Sequence, residues 1–264
     1  MKRSDVAAVV LLGAAVLLPS HAFASGCNLY TTSASCTFNG ANYYTVDPQP
    51  TGTGFIDSFL RVQQNGTEQG YNTSARPIQA GMDDKTDPNY TRNITVGEVP
   101  VVNGSRQFFL DINEQAADWG KLLTLDQLKI FVSDTANLNN YSPAGNGTLA
   151  GATKVYDLDT AVDDNWINLD YTLNSGGSGK GDMVLYAPNV GYTGHQYVYL
   201  YSQFGCTPDA KGKCGTGVNT KYASGAGFEE WWVLAPVGSV AVPEPGTFML
   251  LGAGLLAIRR RQRS

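Results

Sequence analysis

Few side chains in this sequence are placed for chemistry, and histidine narrows the choice first. Of two histidines, His21 lies in an apolar N-terminal segment and His195 in Gly191-Tyr192-Thr193-Gly194-His195. With His21 removed by processing, a multi-histidine metal centre is excluded, and a Ser-His-Asp site would have to use His195. That residue lacks the Gly-x-Ser-x-Gly context of an exposed nucleophile, so it is expected in a surface turn. Carboxylate chemistry needs two acids facing one another across a cleft. Glu229 and Glu230 are adjacent in sequence, which on a strand points them to opposite faces. Glu114 with Glu230 is the remaining pairing, and no motif singles it out.

Two further sets of residues could bind rather than react. Asp157, Asp159, Asp163, Asp164 and Asn165 fall close together, as a calcium ion requires of its oxygen ligands, although the EF-hand spacing is missing. An acidic solvated turn explains the same residues. In Gln196-Tyr197-Val198-Tyr199-Leu200-Tyr201 the tyrosines occupy every second position. On a strand, Tyr197, Tyr199 and Tyr201 then share one face, and with Trp231 and Trp232 they could form a sugar-stacking platform. Cross-strand aromatic packing is the competing explanation.

The four cysteines form two close pairs, Cys27 with Cys36 and Cys206 with Cys214. Three connectivities are open to four cysteines; disulfides within each pair are expected, because zinc usually takes tighter spacing or histidines. Six Asn-x-Ser/Thr triplets, at Asn65, Asn72, Asn89, Asn93, Asn103 and Asn146, read as polar surface turns. The chain is acidic, with a formal net charge of −5. Its basic residues are concentrated at the ends, at Lys2 and Arg3 and again at Arg259, Arg260, Arg261 and Arg263. The part between is therefore more acidic still, which excludes the basic face that nucleic acid needs.

Those ends have their own logic. Lys2 and Arg3 precede the apolar run Val6 to Leu18, and Ala22-Phe23-Ala24 offers small residues to a signal peptidase, so 1–24 reads as a signal peptide cleaved before Ser25. At the other end Val242-Pro243-Glu244-Pro245-Gly246 leads into the apolar run Thr247 to Ile258 and then the arginines. The prolines force an extended approach to the membrane, and the arginines hold the cytoplasmic side. As a helix the run spans about 18 Å against a hydrocarbon core of about 30 Å, so it suits a temporary anchor.

This arrangement closely resembles the PEP-CTERM sorting domain, with Pro243-Glu244-Pro245 as its signature. The resemblance implies that an exosortase, a membrane cysteine transpeptidase, recognises Pro243, Glu244 and Pro245 and removes the tail. It also implies that 247–258 is a transient inner-membrane anchor and that Arg259, Arg260 and Arg261 are its stop signal. The precursor would then sit in the inner membrane, and the mature form at the outer surface or in the matrix of a Gram-negative bacterium.

The elements that must position these residues are strands. With 30 Gly, 14 Tyr, 10 Phe and only 16% charged residues, the composition favours strands and turns. Short runs stand out between clusters of turn residues: Tyr43 to Val46, Phe55 to Gln63, Thr95 to Val102, Gln107 to Ile112, Leu128 to Ser133, Lys154 to Leu158, Trp166 to Leu173, Met183 to Ala187, Gln196 to Ser202 and Glu229 to Leu234. They predict an all-β fold, a two-sheet antiparallel β-sandwich that is jelly-roll-like, over 25–241. It is flanked by the signal helix and by a short C-terminal hydrophobic helix in the sorting tail 242–264. Asp111 to Leu128 is expected to be one short helix or a long loop.

The sequence thus predicts a non-enzymatic structural or adhesive surface protein without a cofactor, calcium being the one candidate. A carbohydrate-binding module acting on matrix polysaccharide is the alternative, and a glycoside hydrolase comes third. The partners expected are signal peptidase and exosortase during export, and extracellular polysaccharide afterwards.

Overall fold

Alternation of apolar and polar side chains produces strands throughout the described residues, among which there is no helix. The computed structural model describes residues 23–45, 57–116, 120–160, 163–173, 181–205, 222–225 and 227–234. In chain order the strands are β1 (Phe23–Leu29), β2 (Ser35–Phe38), β3 (Ala41–Thr45), β4 (Ser58–Val62), β5 (Glu68–Tyr71), β6 (Ile94–Thr95), β7 (Val101–Val102) and β8 (Ser105–Asp111). They continue as β9 (Leu122–Ser133), β10 (Tyr141–Ser142), β11 (Thr148–Leu149), β12 (Thr153–Asp157), β13 (Asp163–Asp170), β14 (Met183–Pro188), β15 (Tyr197–Phe204) and β16 (Glu229–Trp232). Residues 1–22 of the expected signal peptide, Cys206, Cys214 and the sorting tail 242–264, with its expected helix, lie outside the described residues. The backbone of β1 begins at Phe23, two residues before the expected cleavage at Ser25.

The first sheet runs β1-β13-β9-β15-β5, with β12 also on β9 and β6 on β15; the second runs β2-β3-β14-β8-β16-β4, with β7 on β8. Eight strands are therefore shared equally between the sheets, β5-β15-β9-β13 in one and β4-β16-β8-β14 in the other, and the chain changes sheet at each step except from β9 to β13. One ladder departs from the expected antiparallel pattern, because β1 pairs with β13 in parallel, Cys27 opposite Ile167. It joins the sheet at an edge rather than through a hairpin.

A single apolar cluster takes side chains from both sheets, Leu123, Leu125, Ile130, Val198 and Leu200 from the first and Tyr43, Leu60, Phe108, Leu110, Leu185 and Trp231 from the second. Val198 and Leu200 are core, as their alternation predicts. Polar atoms carried into this layer are matched across it: Trp231 Nε1 donates to Ser202 Oγ at 3.1 Å, and the hydroxyls of Tyr43 and Tyr156 meet at 2.6 Å. Such pairing matters because an unmatched buried polar group costs about 1 to 3 kcal/mol.

Of the segment expected to be helix or loop, the described residues between β8 and β9 form a loop, and Leu122 to Leu128 is the front half of the longest strand. β9 pairs with both β13 and β15, and opposite β15 its register slips so that Gln127 faces Gln203 and Leu125 faces Phe204. Asp126 is the extra residue of this β-bulge, and it puts Leu125 and Leu128, three residues apart, into the same core. A bulge inserts one residue and shifts the side-chain phase. The run Thr95 to Val102 likewise divides into β6 and β7 around a turn. Asn103 and Asn146 do occupy turns, at φ 50° and 63°. Asn72 does not; it is buried, its Nδ2 donating to Val198 O at 2.9 Å and its Oδ1 accepting from Leu200 N at 2.5 Å.

Cys27 and Cys36 form a disulfide, with their Cα atoms 6.3 Å apart. It joins β1 of one sheet to β2 of the other. Closing a loop of this length is worth about 2 to 3 kcal/mol. Replacing Cys36 by Ser should therefore lower stability in urea titration by about that amount, and non-reducing peptide maps should recover the Cys27–Cys36 pair; free thiols at both positions would contradict the bridge.

Candidate functional site

The tyrosines of β15 share a face, but it is not an open platform. Tyr199 and Tyr201 are buried in a second apolar cluster on the outer side of the first sheet, with Tyr71, Phe131, Tyr141 and Leu149. Tyr141 of β10 stacks on Tyr201 with centroids 4.1 Å apart. Tyr199 Oη donates to Thr135 O at 2.8 Å, and Tyr201 Oη to Gln69 Oε1 at 2.7 Å. Only Tyr197 is partly exposed. The hairpin of β10 and β11 covers this face, so cross-strand aromatic packing takes the surface a sugar would need. Trp231 lies in the main core, and Trp232 is on the opposite face of its strand, stacked on Phe109 at 4.4 Å. The five rings are thus divided among three packed clusters.

The acidic run near β12 is met by lysines. Lys129, only 1% exposed, places Nζ 3.3 Å from Asp157 Oδ1 and 3.7 Å from Asp159 Oδ2. Lys154 Nζ lies 2.6 Å from Asp157 Oδ2, which also accepts from Asn146 Nδ2 at 3.0 Å. Asp159 Oδ1 caps Asn165 N at 2.9 Å, and Asp163 Oδ2 accepts from Thr160 Oγ1 at 3.0 Å. Asp164, half-buried, has its carboxyl raised by burial and pulled back by Lys129. Lys129 and Lys154 thus supply countercharge to Asp157 and Asp159, and Asp163 turns to its own loop. Among the described residues no group of three acidic, histidine or cysteine side chains is arranged to hold a metal.

Adjacent Glu229 and Glu230 do point to opposite faces. Glu230 is held by Arg61, whose Nε donates at 2.8 Å and Nη2 at 2.5 Å to Oε1. The guanidinium also lies between the rings of Tyr90, at 3.3 Å, and Phe228, at 4.0 Å. A carboxylate so bound is a structural ion pair. Glu114 is not its partner; its carboxylate accepts from Gly225 N at 3.2 and 3.3 Å and belongs with Glu229 and Glu68. His195 closes a turn through its N–H to Tyr192 O at 3.2 Å, with Nδ1 3.6 Å from exposed Asp134.

The cluster of Glu68, Glu114 and Glu229 was not expected. The three sit where β4 leads into β5, β8 into β9 and the chain enters β16, and each is at least nine-tenths buried. Gln64 N donates to Glu68 Oε2 at 2.8 Å. The Glu229 carboxyl interacts with the side chain of Glu68 and with the backbone of Asn113. Burial first, and then the charge of Glu68 and Glu114, drives the Glu229 carboxyl well above its ordinary range. Burial also raises Glu68 and pushes Glu114 up to about 8. All three carboxyls are raised, which favours their protonated forms, and Glu68 and Glu229 lie within hydrogen-bonding reach of one another. Nothing in the sequence marks it, since the three residues are far apart in the chain and share no motif.

This geometry defines a disulfide-tied, aromatic-packed all-β protein of the kind suited to an oxidising compartment. The PEP-CTERM protein-sorting motif matches residues 241–264, so the chain carries the signal of an exported protein that an exosortase sorts from a membrane-transiting precursor toward the surface. No curated protein and no solved structure matches it.

The buried acids set the sign of the pH dependence. Asp84 is pushed up to about 7 and Asp159 to about 6, again chiefly by burial, alongside Glu114 at about 8. A carboxyl raised in the folded state keeps a proton that the unfolded chain has released. Its stabilisation is complete below the unfolded value and is lost as pH rises through the folded one. Tm is expected to fall between about pH 5 and about pH 8.5, and Glu229→Gln should flatten that fall. A Tm that climbed over the same interval would show that these groups are ionised in the folded protein.

Proposed function

We propose that the protein is a non-enzymatic structural or adhesive component of the outer surface or exopolysaccharide matrix of a Gram-negative bacterium, built on a jelly-roll sandwich. The observation that carries this is the sorting motif at 241–264. The order of these eight strands, β5-β15-β9-β13 facing β4-β16-β8-β14, supports the jelly roll, although a fold of this kind hosts many functions and does not choose among them. The Cys27–Cys36 disulfide suits a domain that works outside the cytoplasm. Engagement of Glu230 by Arg61 removes the acid on which a hydrolase with Glu114 would depend, which favours a non-enzymatic role. Signal peptidase would act before Ser25 and the exosortase at the tail, with the mature protein carrying neither end.

Replacing Pro243, Glu244 and Pro245 together by Ala should leave a full-length precursor in the inner membrane on immunoblots of fractionated cells. Normal maturation and release of that variant would refute sorting through this signal.

A further inference from the structure

With the β15 tyrosines covered, a different surface offers the chemistry of sugar binding. A cavity of about 390 Å³ opens on the outer side of the second sheet, between the β1–β2 turn and strands β3 and β14. Val184 and the rings of Tyr44 and Tyr186 form its apolar side, and Thr32, Ser33 and Thr45 its polar side. We propose that this cleft binds a neutral sugar residue of a glycan, stacked on Tyr44.

Position and rigidity come from the strands. Tyr43 and Tyr44 alternate on β3, so Tyr43 enters the core and Tyr44 stands outside, 39% exposed. Tyr44 lies opposite Val184 in the ladder with β14, and its ring meets Tyr186 edge to face, with centroids 5.9 Å apart and planes at 78°. The two rings make a corner. Gln107 Nε2 donates to Tyr186 Oη at 2.9 Å and fixes that ring. The opposite wall is pinned as well: Thr45 Oγ1 donates to Thr31 O at 2.5 Å, Thr45 N to Ala34 O at 3.1 Å, and the Cys27–Cys36 disulfide closes the loop behind. A wall held in place before the ligand arrives spares the ordering cost that weakens mobile sites.

Its chemistry selects the ligand. None of the lining residues carries a charge, so an anionic or cationic ligand would give up hydration without a counter-charge. The hydroxyls of Thr32 and Ser33 make no hydrogen bond among the described residues, and a purely apolar ligand would leave them facing hydrocarbon. A pyranose satisfies both sides, its C–H face on the aromatic ring and its hydroxyls toward Thr32 and Ser33. The volume falls in the range of small-ligand sites.

The test uses the exported protein and titration calorimetry with cellohexaose, mannohexaose and xylohexaose as neutral probes and oligogalacturonate as the charged control. At least one neutral hexaose should bind saturably. Tyr44→Ala should weaken it by roughly tenfold or more, while Tyr44→Phe, which keeps the ring, should bind as the parent does. The proposal is overturned if none of the three binds up to about 10 mM, if Tyr44→Ala leaves binding unchanged, or if oligogalacturonate binds as well as the neutral probes. Tyr44 is partly exposed, so an unchanged Tm for Tyr44→Ala will separate lost contact from lost fold. Neither outcome touches the sorting signal, which the Pro243, Glu244 and Pro245 variant tests separately.

Discussion

β9 has to bury both of its faces, and most of the architecture follows from that requirement. One face supplies Leu123, Leu125, Leu128, Ile130 and Val132 to the core between the sheets; the other carries Phe131 and Lys129 under the hairpin of β10 and β11. A strand paired on both edges and covered on both faces leaves no site for water, so every polar group it carries needs a partner in the protein. Lys129 finds two aspartates and Gln127 Oε1, the last at 3.1 Å. The neighbouring turn is fitted to it: Gly147 has φ +71°, and a Cβ there would strike Lys129 and Tyr141. The acidic run that resembles a calcium site is the countercharge to that lysine.

The same economy accounts for the other polar groups. Glu230 is matched by Arg61, while Glu229, one residue away and on the other face, packs against Glu68 and Glu114, and burial with their charge raises its carboxyl. Buried ion pairs lose most when one partner is removed, whereas a protonated carboxyl depends on pH.

Much of this was legible in the sequence wherever period-two alternation was intact. Tyr43, Val198, Leu200 and the opposite pointing of Glu229 and Glu230 follow from it directly, and the Cys27–Cys36 pairing follows from spacing. Legibility failed for three physical reasons. The bulge at Asp126 changes the phase of β9, so period-two alternation breaks where the strand crosses it. Alternation tells which residues share a face and not whether a later hairpin covers that face, so Tyr199 and Tyr201 seemed available. Contacts between distant segments, such as Lys129 with Asp157 or Glu68 with Glu114 and Glu229, leave no local pattern. The Tyr44 and Tyr186 cleft belongs to the last kind, since the two rings come from strands far apart in the chain.

The two ends of the chain and its described part point the same way. A disulfide across the sheets, aromatic packing on both sides of the first sheet and a terminal sorting motif suit an exported protein. Intact-mass spectrometry of the protein recovered from the cell surface or medium tests this most directly. The account predicts a single mature species that begins at Ser25, carries the Cys27–Cys36 disulfide and lacks the apolar run and arginines of the tail. A surface species that retains residues 247–264 would contradict it.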